Sequence, residues 1–268
     1  MKKRGSVHPQ PWVPILGYHR VVESLQAGDN PQVTVTAKRL ESQMRWFARL
    51  GYRCTSLEAV AESLAERRPL PPRRFVVTFD DGYADTLTTA VPILAGFGFT
   101  ATVFVVSGLV GETNVWDAGV SPPARLMGWG ELSVLLRNGF SIGSHTKSHR
   151  RLSQLSMEEV RVELAESRQC LQSRLATDVR TFCYPWGDWS PRVRGLVQEA
   201  GYLAACDDVG RSENALFTLA RVDPTYWFPP LTPLVRSRHW YFHVQRQPAL
   251  RGLVGGARQL VSRSHTTG

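Results

Sequence analysis

Short apolar runs alternate with helical patterns along most of the chain. The apolar runs, typical of buried strands, cover 13–18, 75–79, 101–106, 140–143, 181–184, 203–206 and 217–222. The helical patterns cover 37–50, 56–67, 86–95, 130–138, 156–175 and 190–200, and Pro92 is expected to kink the third of them. Residues 107–128 carry Gly, Pro and Asn and predict a loop or lid. Because strands and helices alternate, we expect parallel strands with crossover helices, in an α/β barrel or an open doubly wound sheet.

The composition is that of a globular domain. The chain has 268 residues, of which 43% are hydrophobic and 21% charged, close to the average for such domains. No apolar run approaches the ~18–20 residues that span a bilayer. The basic N-terminus meets proline before any apolar stretch, so we expect no secretory signal and a cytoplasmic protein. The four cysteines show no CxxC spacing, which favours free thiols over disulfides or a cysteine-based zinc site.

Charge divides the chain into three regions. The formal net charge of +9 comes from three basic residues before residue 5 and six arginines after Asp223. We therefore predict a basic N-terminal arm at 1–11, a central domain at 12–228 and a basic C-terminal tail at 229–268. The tail interleaves its arginines with aromatic and aliphatic residues, which predicts contact with an anionic membrane surface. A helix that packs its apolar face on the barrel is the alternative. No nucleic-acid motif accompanies the charge, so a nucleic-acid partner is not expected.

Two carboxylates follow the second predicted strand. Asp80 and Asp81 come directly after the buried run 75–79 and precede Gly82. At a strand end, one carboxylate could bind a metal while the other faces substrate. The alternative is a plain turn, in which either aspartate caps the next helix and the glycine supplies the bend.

Two histidines follow another predicted strand. His145 and His149 form an HxxxH pair, and a single helical turn would place both imidazoles on one face, as in many zinc sites. Two surface histidines are the alternative. Two histidines and one carboxylate would together form a facial triad with open coordination positions. Two weaker candidates also end strands, the aromatic run 182–187 and the segment 18–20, which contains His19.

Together these segments resemble the polysaccharide deacetylase family, the NodB-homology or carbohydrate esterase family four, over roughly residues 12–225. The specific motifs are TFDDG at 78–82 and HTKSH at 145–149, while FCYPWG at 182–187 and YHRV at 18–21 add support. The resemblance implies a distorted (β/α)7 barrel. It also implies that the central domain, 12–228, is the catalytic domain of a deacetylase. It also implies a hydrolase that removes N-acetyl groups from acetamido sugars of a polysaccharide, oligosaccharide or glycolipid.

The resemblance assigns a role to each motif. Asp80 is implied to be the catalytic base, and Asp81, His145 and His149 to bind a divalent metal, usually Zn²⁺, with Co²⁺, Ni²⁺ or Mn²⁺ as alternatives. A backbone N–H near the third motif is implied to hold the oxyanion. The residues concerned are Tyr184, Pro185 and Trp186.

Two positions depart from the family pattern. Many members carry an arginine in the third motif that orients the base, and Cys183 occupies that position here. Arg221, on a late predicted strand, is our candidate replacement. The C-terminal Leu-x-His motif that supplies the general acid is also missing. Because some members carry this histidine in an N-terminal YHxV strand, we assign the acid role to His19, with His239 or His243 as alternatives.

Other functions compatible with these residues are an amidase acting on non-sugar C–N bonds and a non-catalytic glycan-binding protein. The intact aspartates and histidines argue against the latter, since loss of metal ligands marks an inactive site.

Overall fold

The computed structural model describes residues 13–207 and 215–226, in which the chain forms nine strands and six α-helices. The strands are β1 (Ile15–Tyr18), β2 (Arg20–Val22), β3 (Thr34–Thr36), β4 (Arg53–Cys54), β5 (Arg74–Phe79), β6 (Thr102–Val105), β7 (Ser141–Ser144), β8 (Thr181–Cys183) and β9 (Ala204–Cys206). The helices are α1 (Ala37–Arg49), α2 (Leu57–Ala65), α3 (Val91–Gly96), α4 (Trp129–Arg137), α5 (Met157–Leu175) and α6 (Pro191–Glu199). In this part of the chain no helix is both long and apolar enough to cross a bilayer.

The main sheet is parallel throughout. Its strands follow the order β1-β5-β6-β7-β8-β9, and short β4 pairs with the start of β5. Residues 219–222 connect the two outer strands, because Leu219 bridges Cys206 of β9 and Val222 bridges Leu16 of β1, both in parallel. The sheet therefore curls into the expected distorted (β/α) barrel. The predicted strand at 217–222 is reduced to these isolated bridges.

Local sequence explains where the helices begin. The Thr36 side chain accepts a hydrogen bond from the Arg39 N–H at the start of α1, and Ser156 and Glu159 form a capping box at the start of α5. The predicted helix at 86–95 is not a single regular α-helix, because its conformation changes next to Pro92. Pro92 lies in the first turn of α3. A turn of π-helix at Thr86–Ala90 precedes α3.

The predicted loop at 107–128 is more ordered than its composition indicates. Antiparallel bridges join Thr113 to Arg125 and Tyr83 to Leu126. Trp116 packs against a small buried cluster formed with Tyr83 and Leu126. The loop is thereby fixed against the segment that follows β5, beside the strand ends.

Candidate active site

The candidate residues meet at the carboxyl ends of the barrel strands, where active sites of this architecture form. Here they line a cavity of about 330 Å³. His19 follows β1, Asp80 and Asp81 follow β5, His145 follows β7, and Tyr184 follows β8. The structure therefore brings together the residues that the sequence placed on separate strands.

Asp80 is held by a buried, two-pronged ion pair with Arg221. The two guanidinium NH groups donate to the two carboxylate oxygens, each at 2.7 Å. Both residues are about 2% exposed. Burial acts to raise the pKa of Asp80, but the charge and hydrogen bonds of Arg221 outweigh it and lower that pKa to about 2. Asp80 is therefore ionised at neutral pH.

Arg221 reaches Asp80 from the segment that closes the barrel. Its Nε donates to the Asp207 carbonyl at 2.9 Å, and one NH group donates to the Thr78 hydroxyl at 3.2 Å. Gly17 of β1 leaves room for the guanidinium group, since a Cβ there would lie 3.2 Å from its carbon and its Nε. Cys183, at the position of the family arginine, lies next to the same carboxylate, with Sγ 3.6 Å from Asp80 Oδ2. An arginine from the segment that closes the barrel thus pairs with Asp80.

Asp81, His145 and His149 form a compact cluster that fits a divalent metal. Asp81 Oδ1 lies 3.3 Å from His145 Nε2 and 3.2 Å from His149 Nε2. Zinc ligands about 2.0–2.1 Å from the ion at tetrahedral angles lie about 3.3–3.4 Å apart, so these spacings suit such a site. Asp81 Oδ1 is buried and accepts no hydrogen bond from the described residues. A cation would satisfy this oxygen.

The hydrogen bond of His145 presents the correct nitrogen to the cluster. Its Nδ1 lies 2.8 Å from the Cys183 carbonyl oxygen. Because a carbonyl can only accept, Nδ1 carries a proton, and Nε2, on the Asp81 side, is the nitrogen available to bind a metal.

The two histidines do not share a helical turn, which corrects the sequence prediction. Residues 145–149 are irregular, and Thr146 and His149 adopt left-handed φ angles of 66° and 62°. The His149 N–H donates to the Thr146 hydroxyl at 2.9 Å, which stabilises the bend. A tight loop therefore brings the imidazoles together, and their ring centroids lie 5.0 Å apart.

Aromatic rings contact His149. Its ring stacks on Trp116 at 4.1 Å between centroids and meets Trp186 at 5.0 Å. The Trp186 indole N–H also donates to the His149 carbonyl at 3.2 Å. His149 Nδ1 is buried without a hydrogen-bond partner among the described residues. Ring contacts, rather than a hydrogen bond at Nδ1, orient this histidine.

A second set of groups, Asp80, His145 and Cys183, also brings possible ligand atoms within 4.8 Å of one another. Both Asp80 oxygens accept hydrogen bonds from Arg221, however. A cation would have to compete with that guanidinium group, so the Asp81 set is the better metal site.

His19 also contacts the Asp80 carboxylate. Its Nε2 lies 3.6 Å from Asp80 Oδ2, and its side chain is 28% exposed. It lines the cavity and can therefore meet a bound substrate. The alternative acids His239 and His243, and the predicted membrane-binding tail, lie outside the described residues.

Of the three residues predicted near the oxyanion, only one has a backbone N–H to offer. The Tyr184 N–H donates to the Cys206 carbonyl at 3.2 Å, and Pro185 has no N–H. The Trp186 N–H has no acceptor in the described protein. Trp186 has a φ of 63°, lines the cavity and is 41% exposed. The geometry narrows the predicted set to Trp186, with Tyr184 and Pro185 shaping the turn.

Sequence reasoning missed several residues that shape this site. Trp116 and Asp117 line the cavity from the predicted loop, and the Asn114 amide orients the Asp117 carboxylate at 3.0 Å. Glu163 of α5 contacts the histidine loop. No residue pattern identified them, although an isolated tryptophan in a polar loop was a hint.

The barrel, with carboxylates and imidazoles at its strand ends, defines an α/β-barrel protein that carries the residues of a hydrolase-type site. The polysaccharide deacetylase family model matches residues 67–205, more than half of the chain. The protein belongs to this family.

Similar proteins agree with that assignment. The Bacillus subtilis protein YxkH, named as a candidate polysaccharide deacetylase, is 25% identical over 213 residues, covering 78% of this chain and 70% of its own length. A poly-β-1,6-N-acetyl-D-glucosamine N-deacetylase of Escherichia coli is 32% identical over 96 residues, which are 34% of this chain but 14% of that protein.

Solved structures share the fold. The Streptococcus pyogenes deacetylase PplD, solved in complex with acetate, superposes with a TM-score of 0.72 at 24% identity, covering 86% of this chain and all of its own. IcaB from Ammonifex degensii gives a TM-score of 0.66 at 24% identity, covering 80% of this chain and 91% of its own. Both confirm the distorted barrel.

Proposed function

We propose that the protein is a metal-dependent hydrolase that removes N-acetyl groups from acetamido sugars of a polysaccharide, oligosaccharide or glycolipid. One observation carries the proposal: an ionised base, Asp80, lies beside a buried Asp81–His145–His149 cluster that suits a divalent ion. Zn²⁺ is the expected ion, and Co²⁺, Ni²⁺ or Mn²⁺ could use the same ligands. Such an ion polarises an amide carbonyl and acidifies a water molecule.

Side chains of the protein would accept and donate the protons that the reaction transfers. Asp80 is charged and therefore able to accept a proton from the attacking water. Arg221 fixes the direction of its oxygens and keeps it ionised. His19, whose side chain is 28% exposed and whose Nε2 lies 3.6 Å from Asp80 Oδ2, would donate a proton to the leaving amine. General acid and base assistance of this kind is worth about 10²–10⁴-fold each. The products are acetate and a free amino sugar.

The cavity wall suits a sugar. The Trp186 N–H can donate to the developing oxyanion, because no acceptor among the described residues occupies it. The indoles of Trp116 and Trp186 offer apolar surface against which a pyranose face can pack, and Asp117 offers an acceptor for hydroxyl groups. The name of the Escherichia coli relative supports an N-acetylated glycan as the substrate class.

Acetate release from a panel of N-acetylated glycans and glycolipids tests the proposal. We expect activity that chelator abolishes and that Zn²⁺ or Co²⁺ restores. A panel of non-sugar acetamides run in parallel tests the alternative amidase. Full activity after exhaustive chelation, with metal removal verified by elemental analysis, would contradict the metal dependence. Glycan binding without any hydrolysis would instead indicate a non-catalytic member.

We also propose a cytoplasmic protein held at an anionic membrane by residues 229–268. Six arginines and no acid in this segment support the idea, since each basic charge near an anionic leaflet adds roughly 1 kcal/mol. Flotation with anionic vesicles at low salt tests it. Equal flotation after truncation at Pro230 would contradict it and favour the packed-helix alternative.

A further inference from the structure

Glu163, on α5, makes three hydrogen bonds to the loop between the two histidines. Its Oε2 accepts from the backbone N–H groups of Lys147 and Ser148, both at 2.9 Å, and its Oε1 accepts from the Ser148 hydroxyl. Glu163 is 6% exposed. We propose that Glu163 is a positioning residue that holds His145 and His149 in the geometry of a metal site. This inference rests on the function proposed above.

The loop needs an external anchor because its backbone is unfavourable. Thr146 and His149 both adopt left-handed φ angles, which residues with a Cβ occupy only when other contacts hold them there. The hydrogen bonds of Glu163 fall on Lys147 and Ser148, the two residues between these positions. Relaxation of the loop would move one or both imidazoles away from Asp81, from which their Nε2 atoms lie 3.2–3.3 Å.

The opposite side of the loop is held separately. The Thr146 carbonyl accepts from the Ser107 N–H at 3.1 Å and from the Ser167 hydroxyl at 3.0 Å, and the Lys147 carbonyl accepts from the Gly108 N–H at 2.9 Å. These bonds fix carbonyl groups only. Glu163 supplies the acceptors for the N–H groups of Lys147 and Ser148, so its loss frees one side of the loop while the other stays in place.

Two further substitutions on α5 serve as controls. One tests whether Glu163 acts through its hydrogen bonds or its charge, and the other tests whether any loss of a glutamate near the loop has the same effect. In Glu163→Gln, the amide oxygen can accept from both N–H groups and the amide nitrogen can donate to the Ser148 hydroxyl, so the bonding pattern survives without the charge. Glu166, one turn further along α5, also contacts the loop through the Lys147 amino group at 2.6 Å, but its side chain is 52% exposed. Glu166→Ala is therefore the matched control.

The experiment measures Zn²⁺ affinity of the full-length chain by competition with a chromogenic chelator, together with the melting temperature of the metal-free protein. We expect Glu163→Ala to weaken Zn²⁺ binding by about 10–100-fold, as other groups that orient metal ligands do. Glu163→Gln and Glu166→Ala should bind as the wild type does. If Glu163→Ala fails to fold, Ser148→Ala removes one of the three bonds and should weaken binding to a smaller degree.

Several results would overturn the inference. One is a Glu163→Ala protein that melts earlier without metal but binds Zn²⁺ as tightly as the wild type, since Glu163 would then serve the fold alone. Another is a Glu163→Gln protein as weak as Glu163→Ala, which would make charge the cause. Unchanged binding in Ser148→Ala, where that variant is needed, also counts against it. Failure of the wild type to bind Zn²⁺ would instead remove the proposed metal site, and the inference with it.

Discussion

Asp80 and Asp81 are adjacent in sequence and equally buried, yet their surroundings differ in kind. Both oxygens of Asp80 accept hydrogen bonds from the buried Arg221. Asp81 Oδ1 instead lies near the imidazoles of His145 and His149 and accepts no hydrogen bond from the described residues. One region supplies a fixed positive charge from the protein. The other leaves a negative oxygen for a cation from solution.

Because of this difference, two chemically identical side chains are suited to different functions. A carboxylate already paired with a guanidinium group is a poor metal ligand but a well-oriented proton acceptor. A carboxylate beside two imidazole nitrogens is a ready metal ligand, since burying it without a cation costs free energy. The neighbouring groups, rather than the aspartates themselves, therefore support the two different roles proposed for Asp80 and Asp81.

The two aspartate variants test the comparison most directly, with the largest expected effect. Asp80→Asn should keep Zn²⁺ bound and lose activity by about 10²–10⁴-fold, because only proton acceptance is removed. Asp81→Asn should lose the metal and the activity together. Zinc content and acetate release, measured on folded protein, distinguish the two. An empty site in Asp80→Asn with a full one in Asp81→Asn would invert the roles.

His19→Ala tests the proposed role of the histidine next to Asp80. His19 contacts Asp80 and is not one of the three groups of the Asp81 ligand set. Loss of its proton donation should lower kcat by about 10²–10⁴-fold while metal content stays unchanged. An unaffected rate would place the general acid elsewhere, and His239 and His243 would then be tested in the same assay.

Sequence reasoning predicted the parts of the site that lie on regular elements. The strand ends after β5 and β7 placed the aspartates and histidines together, because parallel strands deliver their carboxyl ends to one edge of a barrel. Arg221 could be nominated from its late strand, but its partner depends on the barrel closing between β9 and β1. That closure brings Arg221 next to Asp80, although 141 residues separate them in the sequence. No local sequence pattern predicts this contact.

The irregular segments were predicted least well. The HxxxH spacing indicated a helical turn, whereas two left-handed residues form a loop instead. Local propensity gives no warning of such a loop, because contacts from α5 hold it in place. Trp116 likewise lies in a segment whose composition indicated only a loop, and its contact with His149 arises from tertiary packing.

Arg221→Met removes the positive charge that is paired with Asp80. It would leave a buried carboxylate without a partner, which typically costs about 3–5 kcal/mol in the free energy of unfolding. The pKa of Asp80 is lowered to about 2 from its ordinary 3.8. The pair therefore stabilises the protein above that ordinary value, and its contribution disappears as the pH falls through about 2.

The deficit of Arg221→Met should thus be full at neutral pH and shrink in acid, as measured by urea unfolding of the metal-free protein. Arg180→Met is the control, because the Arg180–Glu62 pair is about 40% exposed and 2.7 Å apart. Its removal should cost less than about 1 kcal/mol. Equal losses in the free energy of unfolding would mean that the buried ion pair contributes no more to stability than the exposed one.

Gly17→Ala disturbs the same ion pair from the β1 side. The new methyl group would lie 3.2 Å from the Arg221 guanidinium carbon, so the guanidinium must shift. We expect a loss of about 1–3 kcal/mol in stability and lower activity without loss of metal. Gly195→Ala on α6 meets no atom within 4 Å and should leave activity unchanged while stabilising slightly. Identical activities for the two variants would contradict the tight fit.

Trp116→Ala tests the Asp81 side, where the expected effect is smallest. The indole stacks on His149 at 4.1 Å, and such ring pairs contribute about 0.5–1.5 kcal/mol. Because His149 Nδ1 has no hydrogen-bond partner among the described residues, the ring should then rotate more freely. Zn²⁺ affinity should fall by about 2–10-fold, and Trp116→Phe should recover most of it. A Co²⁺ absorption spectrum shows whether the ligand geometry changes as well. If Trp116→Ala binds both ions as the wild type does, Trp186 and the loop alone orient His149.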